Sequence, residues 1–293
     1  MILSKSLKEI RLKYYPLNKL SFFKVGGRAK NFFLPSQKED LIHLLRELNK
    51  QNIPCYVLGG GSNILINDEG IINSAVVKLG RGFVFINRID SLTLEVGAAT
   101  SFRDLLDYCV KSNLGGLEMF AGIPATVGGM CVMNASSFGR EFFSFVEEVE
   151  AVSFQGETKI LKKHEINYGY RYTSLRDFIV TKVKLVLEKG KSVKERAVEF
   201  LKERAEKQDL SYPSLGCIFK NPPGMWAGKL IQECGLKGFG IGSIFVSSKH
   251  ANFILNKGRG SFRDTLSVIE TIKRKVYQRF SVKLEEEIVI WES

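Results

Sequence analysis

The sequence predicts a fold that combines β-strands with α-helices, with the strands concentrated in the first third of the chain. Short runs of β-branched and other apolar residues, separated by glycines, are typical of strands. Ser-x-x-Asp/Glu patterns mark helix starts, because the serine side chain caps N–H groups that the first helical turn leaves free. Four such patterns precede runs with helical periodicity, and they begin at Ser36, Ser101, Ser192 and Ser261.

Predicted elements cover most of the chain. Residues 20–35 predict two strands around a turn at Gly26 and Gly27, and a helix follows from Ser36. Further strands are predicted at 56–58, 64–66, 75–79, 92–96, 146–154, 158–161 and 178–187, and further helices from 101, over 192–208 and over 261–280. Residues 212–224 are too rich in proline and glycine for regular structure. A last strand is predicted at residues 284–291.

Composition indicates an ordinary globular protein. With 293 residues, of which 44% are hydrophobic and 25% charged, the chain can form two or three domains. The five cysteines are scattered and form no CxxC pair, which argues against a disulfide framework and against a zinc site. No stretch approaches the roughly 18 apolar residues of a membrane span, and the first residues carry frequent charges. We therefore expect a cytoplasmic protein that binds neither metal nor membrane.

The net charge of +12 raises the question of nucleic acid. Basic residues alternate with acidic ones, and the long blocks of like charge that form nucleic-acid-binding tails are missing from the sequence. A generally basic surface suits anionic small molecules equally well. We expect small anionic partners and no nucleic acid.

A glycine loop at residues 58–63 is the most distinctive local pattern. Gly59, Gly60 and Gly61 can bring backbone N–H groups close to a diphosphate, and Ser62 and Asn63 can add side-chain hydrogen bonds. A dinucleotide-binding Rossmann loop needs a glycine where Ile64 stands and a helix directly afterwards, so that motif fits badly. The loop is either a phosphate cradle between two strands or a simple turn.

A second segment rich in small residues covers 120–137. Gly122, Ala125, Thr126, Gly128 and Gly129 leave space in which a flat ligand can lie against the backbone. The alternative interpretation is a closely packed helix.

Eight motifs, taken in order, resemble the UDP-N-acetylenolpyruvoylglucosamine reductase family over nearly the whole chain. They are LSFFKVGG, VLGGGSNILI, AGIPATVGGMCVMNAS, YGYRYTS, GCIFKNP, LIQECGLKG, SSKHANFILN and LEEEIVI. Their number and order make the resemblance far more specific than either glycine segment alone.

The resemblance implies an α+β fold with an FAD-binding part of the vanillyl-alcohol-oxidase type and a smaller α+β substrate domain. Expected domains are two FAD-binding subdomains, 1–79 and 80–190, and a UDP-sugar domain, 191–283, with the strand 284–293 near the active site. The chain is similar to the shorter form, which lacks an inserted substrate-capping tyrosine. The implied reaction is the NADPH-dependent reduction of UDP-N-acetylglucosamine enolpyruvate to UDP-N-acetylmuramate, in cytoplasmic peptidoglycan precursor synthesis by a monomer.

The resemblance also assigns catalytic residues. Arg171 corresponds to the arginine that stabilises developing negative charge, a role that suits a permanently charged, bidentate donor. Cys217 occupies the proton-donor position, where most of the family has serine; a thiol with a pKa of about 8.5 is the better acid, so function should survive. Glu287 matches the second family glutamate, but Glu286 replaces a proline, so Glu285 stays an alternative.

Cofactor and substrate residues follow from the same motifs. For the substrate, the implied residues are Asn221, Lys237 and His250. For FAD they are Gly59, Gly60, Gly61, Ser62, Asn63, Ile64, Gly122, Ile123, Thr126, Gly129, Asn134 and Ala135.

Other interpretations stay open on the residues alone. Arg171 fits a surface turn, Cys217 a structural cysteine, and residues 285–287 a solvated acidic turn. A different FAD-dependent oxidoreductase of the same fold would keep both glycine segments and act on another substrate. A basic binding protein without catalytic activity would purify colourless.

Overall fold

The computed structural model describes residues 4–292, which mix α-helices and β-strands as predicted. The helices are Lys5–Glu9, Lys38–Lys50, Phe102–Lys111, Val127–Val132, Val193–Lys207, Ala227–Glu233 and Phe262–Phe280. The chain divides into two compact units. Unit 1 contains residues 1–14, 30–60 and 73–202, and unit 2 contains residues 15–29, 61–72 and 203–293.

Unit 1 contains two sheets. The four-stranded sheet has the order Arg11–Pro16, Arg28–Phe33, Ile71–Val77, Cys55–Val57. The five-stranded antiparallel sheet has the order Thr158–Lys162, Val146–Ser153, Phe178–Val186, Thr93–Gly97, Ile86–Arg88. Two-residue strands at Leu114–Gly115, Ser136–Ser137, Arg140–Glu141, Tyr168–Gly169, Tyr172–Thr173 and Glu188–Lys189 form local pairs.

Each sheet of unit 1 has its own hydrophobic core. The helix Lys38–Lys50 buries Leu41, Leu44, Leu45 and Leu48 in the core of the four-stranded sheet, as its helical spacing predicts. The helix Phe102–Lys111 starts at Ser101, whose side chain accepts the Asp104 N–H, and it packs into the core of the five-stranded sheet.

Unit 2 is a smaller α+β body with one core. Its four-stranded antiparallel sheet has the order Ser214–Cys217, Phe253–Asn256, Ile244–Val246, Gly240–Ile241. The helix Phe262–Phe280 begins with the predicted capping box of Ser261 and Asp264 and buries Val268, Ile269, Ile272 and Val276. A separate parallel pair joins Val289–Trp291 to Ile64–Ile66.

Four local expectations differ from the structure. Residues 20–25 form turns instead of a strand, because Ser21 N–H bonds to Leu17 O and Lys24 N–H bonds to Ser21 O. Ser36 does not cap the next helix, whose N-cap is Gln37; Ser36 packs against Gly80 instead. The proline-rich stretch 212–224 contains the strand Ser214–Cys217, and only Val289–Trp291 of the predicted closing strand is regular.

Candidate active site

The two glycine segments meet within unit 1. A Cβ atom added to Gly59 would lie 3.0 Å from Thr126 Oγ1, and one added to Gly60 would lie 2.8 Å from the Pro124 carbonyl oxygen. A side chain at Gly60 would collide with the backbone of the second segment, so glycine is required there, while Gly59 lies in close contact with the Thr126 hydroxyl. Thr126 in turn caps the helix Val127–Val132, since its hydroxyl accepts the Gly129 N–H at 3.3 Å.

Backbone donors of the glycine loop are available for a ligand. No backbone carbonyl among residues 4–292 accepts the N–H of Gly59 or of Gly60, and Gly60 is exposed. Unused N–H groups in a glycine turn form an anion-binding concavity. This arrangement fits the diphosphate of FAD, and the small residues at Thr126 and Gly129 leave room beside it.

Lys78 is a part of this site that the sequence interpretation missed. Its ammonium donates to the Gly59 carbonyl oxygen at 2.8 Å, and burial lowers the pKa of Lys78 below its ordinary value. The only sequence signal is a lysine placed directly after the buried end of the strand Ile71–Val77.

The remaining loop residues belong to unit 2. Gly61 has a φ of +71°, and a Cβ there would lie 2.1 Å from the Leu20 carbonyl oxygen, so this glycine is required by backbone geometry. Asn63 Nδ2 donates to the Glu287 carbonyl oxygen at 3.2 Å, and Asn63 O accepts the Val289 N–H at 2.9 Å. Asn63 therefore fixes the segment that carries Glu287. Ile64 begins the strand Ile64–Ile66, and Ser62 is half-buried.

Arg171 lies in the turn of a hairpin in unit 1. The strands Tyr168–Gly169 and Tyr172–Thr173 pair around it, and Arg171 has a φ of +57°. Non-glycine residues seldom adopt this conformation, and where they do a functional constraint is one common reason. Its guanidinium lies 5.8 Å from the centre of the Tyr170 ring. The expected surface turn is present, but the arginine in it is half-buried.

Asn134 holds this hairpin in place. Its fully buried side chain donates to Gly169 O at 2.9 Å and to Glu141 Oε2 at 2.9 Å, and its Oδ1 accepts the Phe143 N–H at 3.1 Å. The amide thus positions Arg171, and direct binding of FAD by Asn134 stays a prediction. The neighbouring Ala135 is buried in the core.

Gly122 and Ile123 lie at the other end of the second glycine segment. Gly122 is exposed with a φ of +84°, and Ile123 is half-buried. Both remain predicted cofactor contacts.

Unit 2 brings the segments of Cys217 and Glu287 side by side. Glu287 N–H donates to Ile218 O at 2.7 Å, Lys220 N–H donates to Glu285 O at 2.9 Å, and an antiparallel bridge joins Phe219 and Glu286. Two elements far apart in sequence therefore present a half-buried thiol and a half-buried carboxylate in neighbouring backbone positions.

Neighbouring lysines distinguish the three glutamates. Glu285 forms an ion pair with Lys220 at 3.3 Å and is largely exposed, while Glu286 pairs with Lys273 at 2.8 Å. The ion pair with Glu286 raises the pKa of Lys273. Glu287 is half-buried, and its assignment as the catalytic glutamate in preference to Glu285 stays a prediction.

Arg204 is a second residue that the sequence interpretation missed. It comes from the helix Val193–Lys207, which the sequence presents only as a charged connection, yet it is 8% exposed. Burial lowers the pKa of its guanidinium, and the charge of Cys217 acts in the opposite direction. A buried cation thus stands close to the candidate proton donor.

The predicted substrate residues all lie in unit 2. Asn221 Oδ1 accepts the Ala227 N–H at 3.0 Å, so its carbonyl end is used at the start of the helix Ala227–Glu233. Burial, and then the charge of Lys237, lowers the pKa of His250. His250 Nδ1 accepts the Asn252 N–H at 3.3 Å, an assignment that places its proton on Nε2. Lys237 is exposed.

Among residues 4–292, no three His, Cys, Asp or Glu side chains are grouped so that they could hold a metal ion. No helix in the same range is both long enough and apolar enough to cross a membrane.

Comparison with known proteins identifies relatives along the whole chain. Residues 29–162 match the family described as FAD binding domain, and residues 208–291 match the C-terminal domain of UDP-N-acetylenolpyruvoylglucosamine reductase. A reductase of that name from Caldanaerobacter subterraneus is 39% identical, covering 99% of this chain and 98% of its own. One from Clostridium botulinum is 36% identical, covering 94% and 90%.

A solved structure is similar to this chain over nearly its whole length. The crystal structure of UDP-N-acetylenolpyruvylglucosamine reductase from Thermus caldophilus is 34% identical with a TM-score of 0.80, covering 96% of this chain and 98% of that one. The expected α+β FAD-binding fold is thereby confirmed. The chain belongs to the UDP-N-acetylenolpyruvoylglucosamine reductase family.

Proposed function

We propose that this protein catalyses the NADPH-dependent reduction of UDP-N-acetylglucosamine enolpyruvate to UDP-N-acetylmuramate, with FAD as its bound cofactor. The relatives carry the name of this reductase across nearly their whole length. The observation that carries the proposal is the backbone pairing of the Cys217 segment with residues 285–287. It supplies an acid and a carboxylate side by side, as protonation of a reduced enol ether requires.

FAD would be held by the glycine loop and the segment 122–129. No backbone carbonyl of the described residues accepts the N–H groups of Gly59 and Gly60, and the Thr126 hydroxyl lies beside Gly59. When bound, FAD supplies the hydride that no amino-acid side chain can deliver.

Arg171 would bind the carboxylate of the enolpyruvyl group. A guanidinium keeps its charge at working pH and can donate two parallel hydrogen bonds to a carboxylate. Negative charge accumulates on this carboxylate in the transition state, where fixed positive charge is most effective. The hairpin turn and the buried Asn134 restrict how far Arg171 can move.

Cys217 would donate the proton to the carbon next to the carboxylate. The charge of Arg204 stabilises the thiolate that remains after proton transfer. A proton taken up from solvent then regenerates the thiol. Glu287, fixed through its main chain to Ile218 and Asn63, would complete the proton-transfer site.

The sugar nucleotide would bind in unit 2. Lys237 is an exposed cation between glycines and suits the diphosphate of UDP. His250 and Asn221 would add hydrogen bonds. We further propose three domains, namely residues 1–79, 80–190 and 191–283. The described residues contain three hydrophobic cores, one of which combines Phe23, Val25 and Leu65 with residues 215–288. We also propose that the protein is monomeric and cytoplasmic and that it uses NADPH.

An anaerobic experiment tests this function. The purified protein should be yellow, should lose its visible flavin absorbance on addition of NADPH, and should recover it when UDP-N-acetylglucosamine enolpyruvate is added. One pocket that serves both substrates in turn also predicts ping-pong kinetics. Recovery with oxygen but not with the UDP-sugar would indicate a different flavin oxidoreductase. A colourless protein that takes up no FAD would contradict the proposal altogether.

A further inference from the structure

Lys78 occupies an unusual position for a lysine. It follows the strand Ile71–Val77, where its own N–H donates to Phe33 O at 3.0 Å and fixes the main chain. From there the half-buried side chain reaches the glycine loop, and Nζ donates to the Gly59 carbonyl oxygen at 2.8 Å. All three residues belong to unit 1.

Within residues 4–292, no carboxylate forms an ion pair with the ammonium of Lys78. Lys182 and Lys273 are other partly buried lysines, and each bonds a glutamate at 2.8 Å, which raises its pKa. Lys78 has only the carbonyl oxygen of Gly59 as a hydrogen-bond acceptor within residues 4–292, and burial lowers its pKa. Burying a cation without a counter-charge is costly, so an anion supplied from outside the chain would relieve that cost.

The hydrogen bond also orients the loop. The Gly59–Gly60 peptide bond is trans, so its N–H points away from its carbonyl oxygen. Because Lys78 holds the carbonyl, the Gly60 N–H faces the opposite side, where no backbone carbonyl of the described residues accepts it. The Lys78 ammonium and the Gly60 N–H thus lie at opposite ends of one peptide unit. Both favour an anion on the side of the loop to which the Gly60 N–H points.

We propose that Lys78 is the residue whose positive charge balances the diphosphate of FAD, acting from behind the glycine loop while it orients the Gly60 N–H. The inference rests on the proposed role of the loop as the diphosphate cradle. Lys78 is a positioning and charge-balancing residue and takes no part in hydride or proton transfer.

The test measures binding of FAD to the apoprotein by titration calorimetry and flavin fluorescence at low and high salt. Lys78→Gln keeps a donor for the Gly59 carbonyl without the charge, Lys78→Met removes both, and Lys78→Arg keeps both. We expect FAD affinity to fall about 10-fold to 100-fold in Lys78→Gln and further in Lys78→Met, and to change less than about 3-fold in Lys78→Arg. The loss should shrink at high salt, because salt screens the charge in the wild type. As a matched control, Lys111→Gln removes an exposed charge from unit 1 and should leave the affinity unchanged.

Two outcomes separate the possibilities. Wild-type affinity in Lys78→Gln would overturn the inference, even if Lys78→Met binds FAD weakly, since a hydrogen bond alone would then be enough. A wild-type protein that binds no FAD would refute the proposed function itself. Circular dichroism and thermal melting of each apo-variant show whether it is folded. The FAD affinity of Lys78→Gln is compared with that of Lys78→Arg when the two variants have equal melting temperatures.

Discussion

Glu287 and Ile218 are joined by a backbone hydrogen bond of 2.7 Å, which places the carboxylate segment beside the residue that directly follows Cys217. The thiol and the carboxylate therefore share one rigid backbone frame. Rigid placement of catalytic groups contributes strongly to rate, because little reorganisation is needed when substrate binds.

Cys217→Ser should keep substantial turnover, whereas Cys217→Ala should lower enolpyruvate reduction by about 10²-fold to 10⁴-fold, the usual effect of losing a general acid. Reduction of the flavin by NADPH should be unchanged in both variants. Stopped-flow absorbance separates the two half-reactions. Equal loss of both half-reactions in Cys217→Ala would refute the proton-donor role.

Thiol reactivity should single out Cys217. Burial raises the pKa of Cys55 to about 12 and that of Cys109 to about 12, and it also raises those of Cys131 and Cys234. Alkylation of the folded protein near pH 8, followed by peptide mass spectrometry, should label Cys217 first. The reactive pKa should not lie well below neutrality, because the donor must carry its proton at working pH. Faster labelling of Cys55 would contradict this prediction.

Arg171→Met should lower kcat for the UDP-sugar by on the order of 10²-fold or more, because a fixed donor to developing negative charge is lost. Arg171→Lys should recover only part of that loss, since an ammonium cannot form the bidentate pair. Arg103→Met, at an exposed position in the same unit, serves as the control. A change in KM alone would show that Arg171 binds the ground state and does not stabilise the transition state.

Gly60→Ala should weaken FAD binding at least about tenfold, because the new methyl group would lie 2.8 Å from the Pro124 carbonyl and force the two segments apart. Gly169→Ala meets nothing within 4 Å and is the matched control. Both affinities are measured by fluorescence titration of apoprotein. Unchanged affinity in Gly60→Ala would place the diphosphate elsewhere.

The stability of the protein should fall as the pH drops below about 6.5, the ordinary pKa of histidine. Because burial lowers the pKa of His250 in the folded state, the unfolded state binds the proton first, and acid therefore favours unfolding. His250→Gln should reduce this loss in urea denaturation measured between pH 7.5 and 5, and the exposed His164→Gln should not. A parallel loss in wild type and His250→Gln would contradict the assignment.

Much of the fold follows from sequence patterns, and the exceptions have physical causes. Capping serines at 101 and 261 mark helix starts because their hydrogen bonds are local. Ser36 has the same pattern, but contact with Gly80, distant in sequence, decides its position. Local pattern cannot reveal such competition between near and distant partners.

The candidate site likewise contains residues that the sequence reveals and residues that only the folded structure reveals. Gly59 and Gly60 are conspicuous in sequence, and at Gly60 only glycine permits the close contact. Lys78 and Arg204 look like ordinary solvated cations in sequence. Only the folded chain shows that Lys78 is half-buried against Gly59 and that Arg204 is buried near Cys217. Asn134 was predicted from the family motif as a cofactor contact, and its side chain proves to hold the Arg171 hairpin.

The link between Asn63 and the Glu287 carbonyl spans 224 residues. Closing so long a chain segment carries a large entropic cost, and contacts between distant residues slow folding. The carboxylate segment is therefore expected to dock late during refolding, after the local helices of unit 2 have formed. A refolding chain would then regain helical circular dichroism well before it regains catalysis.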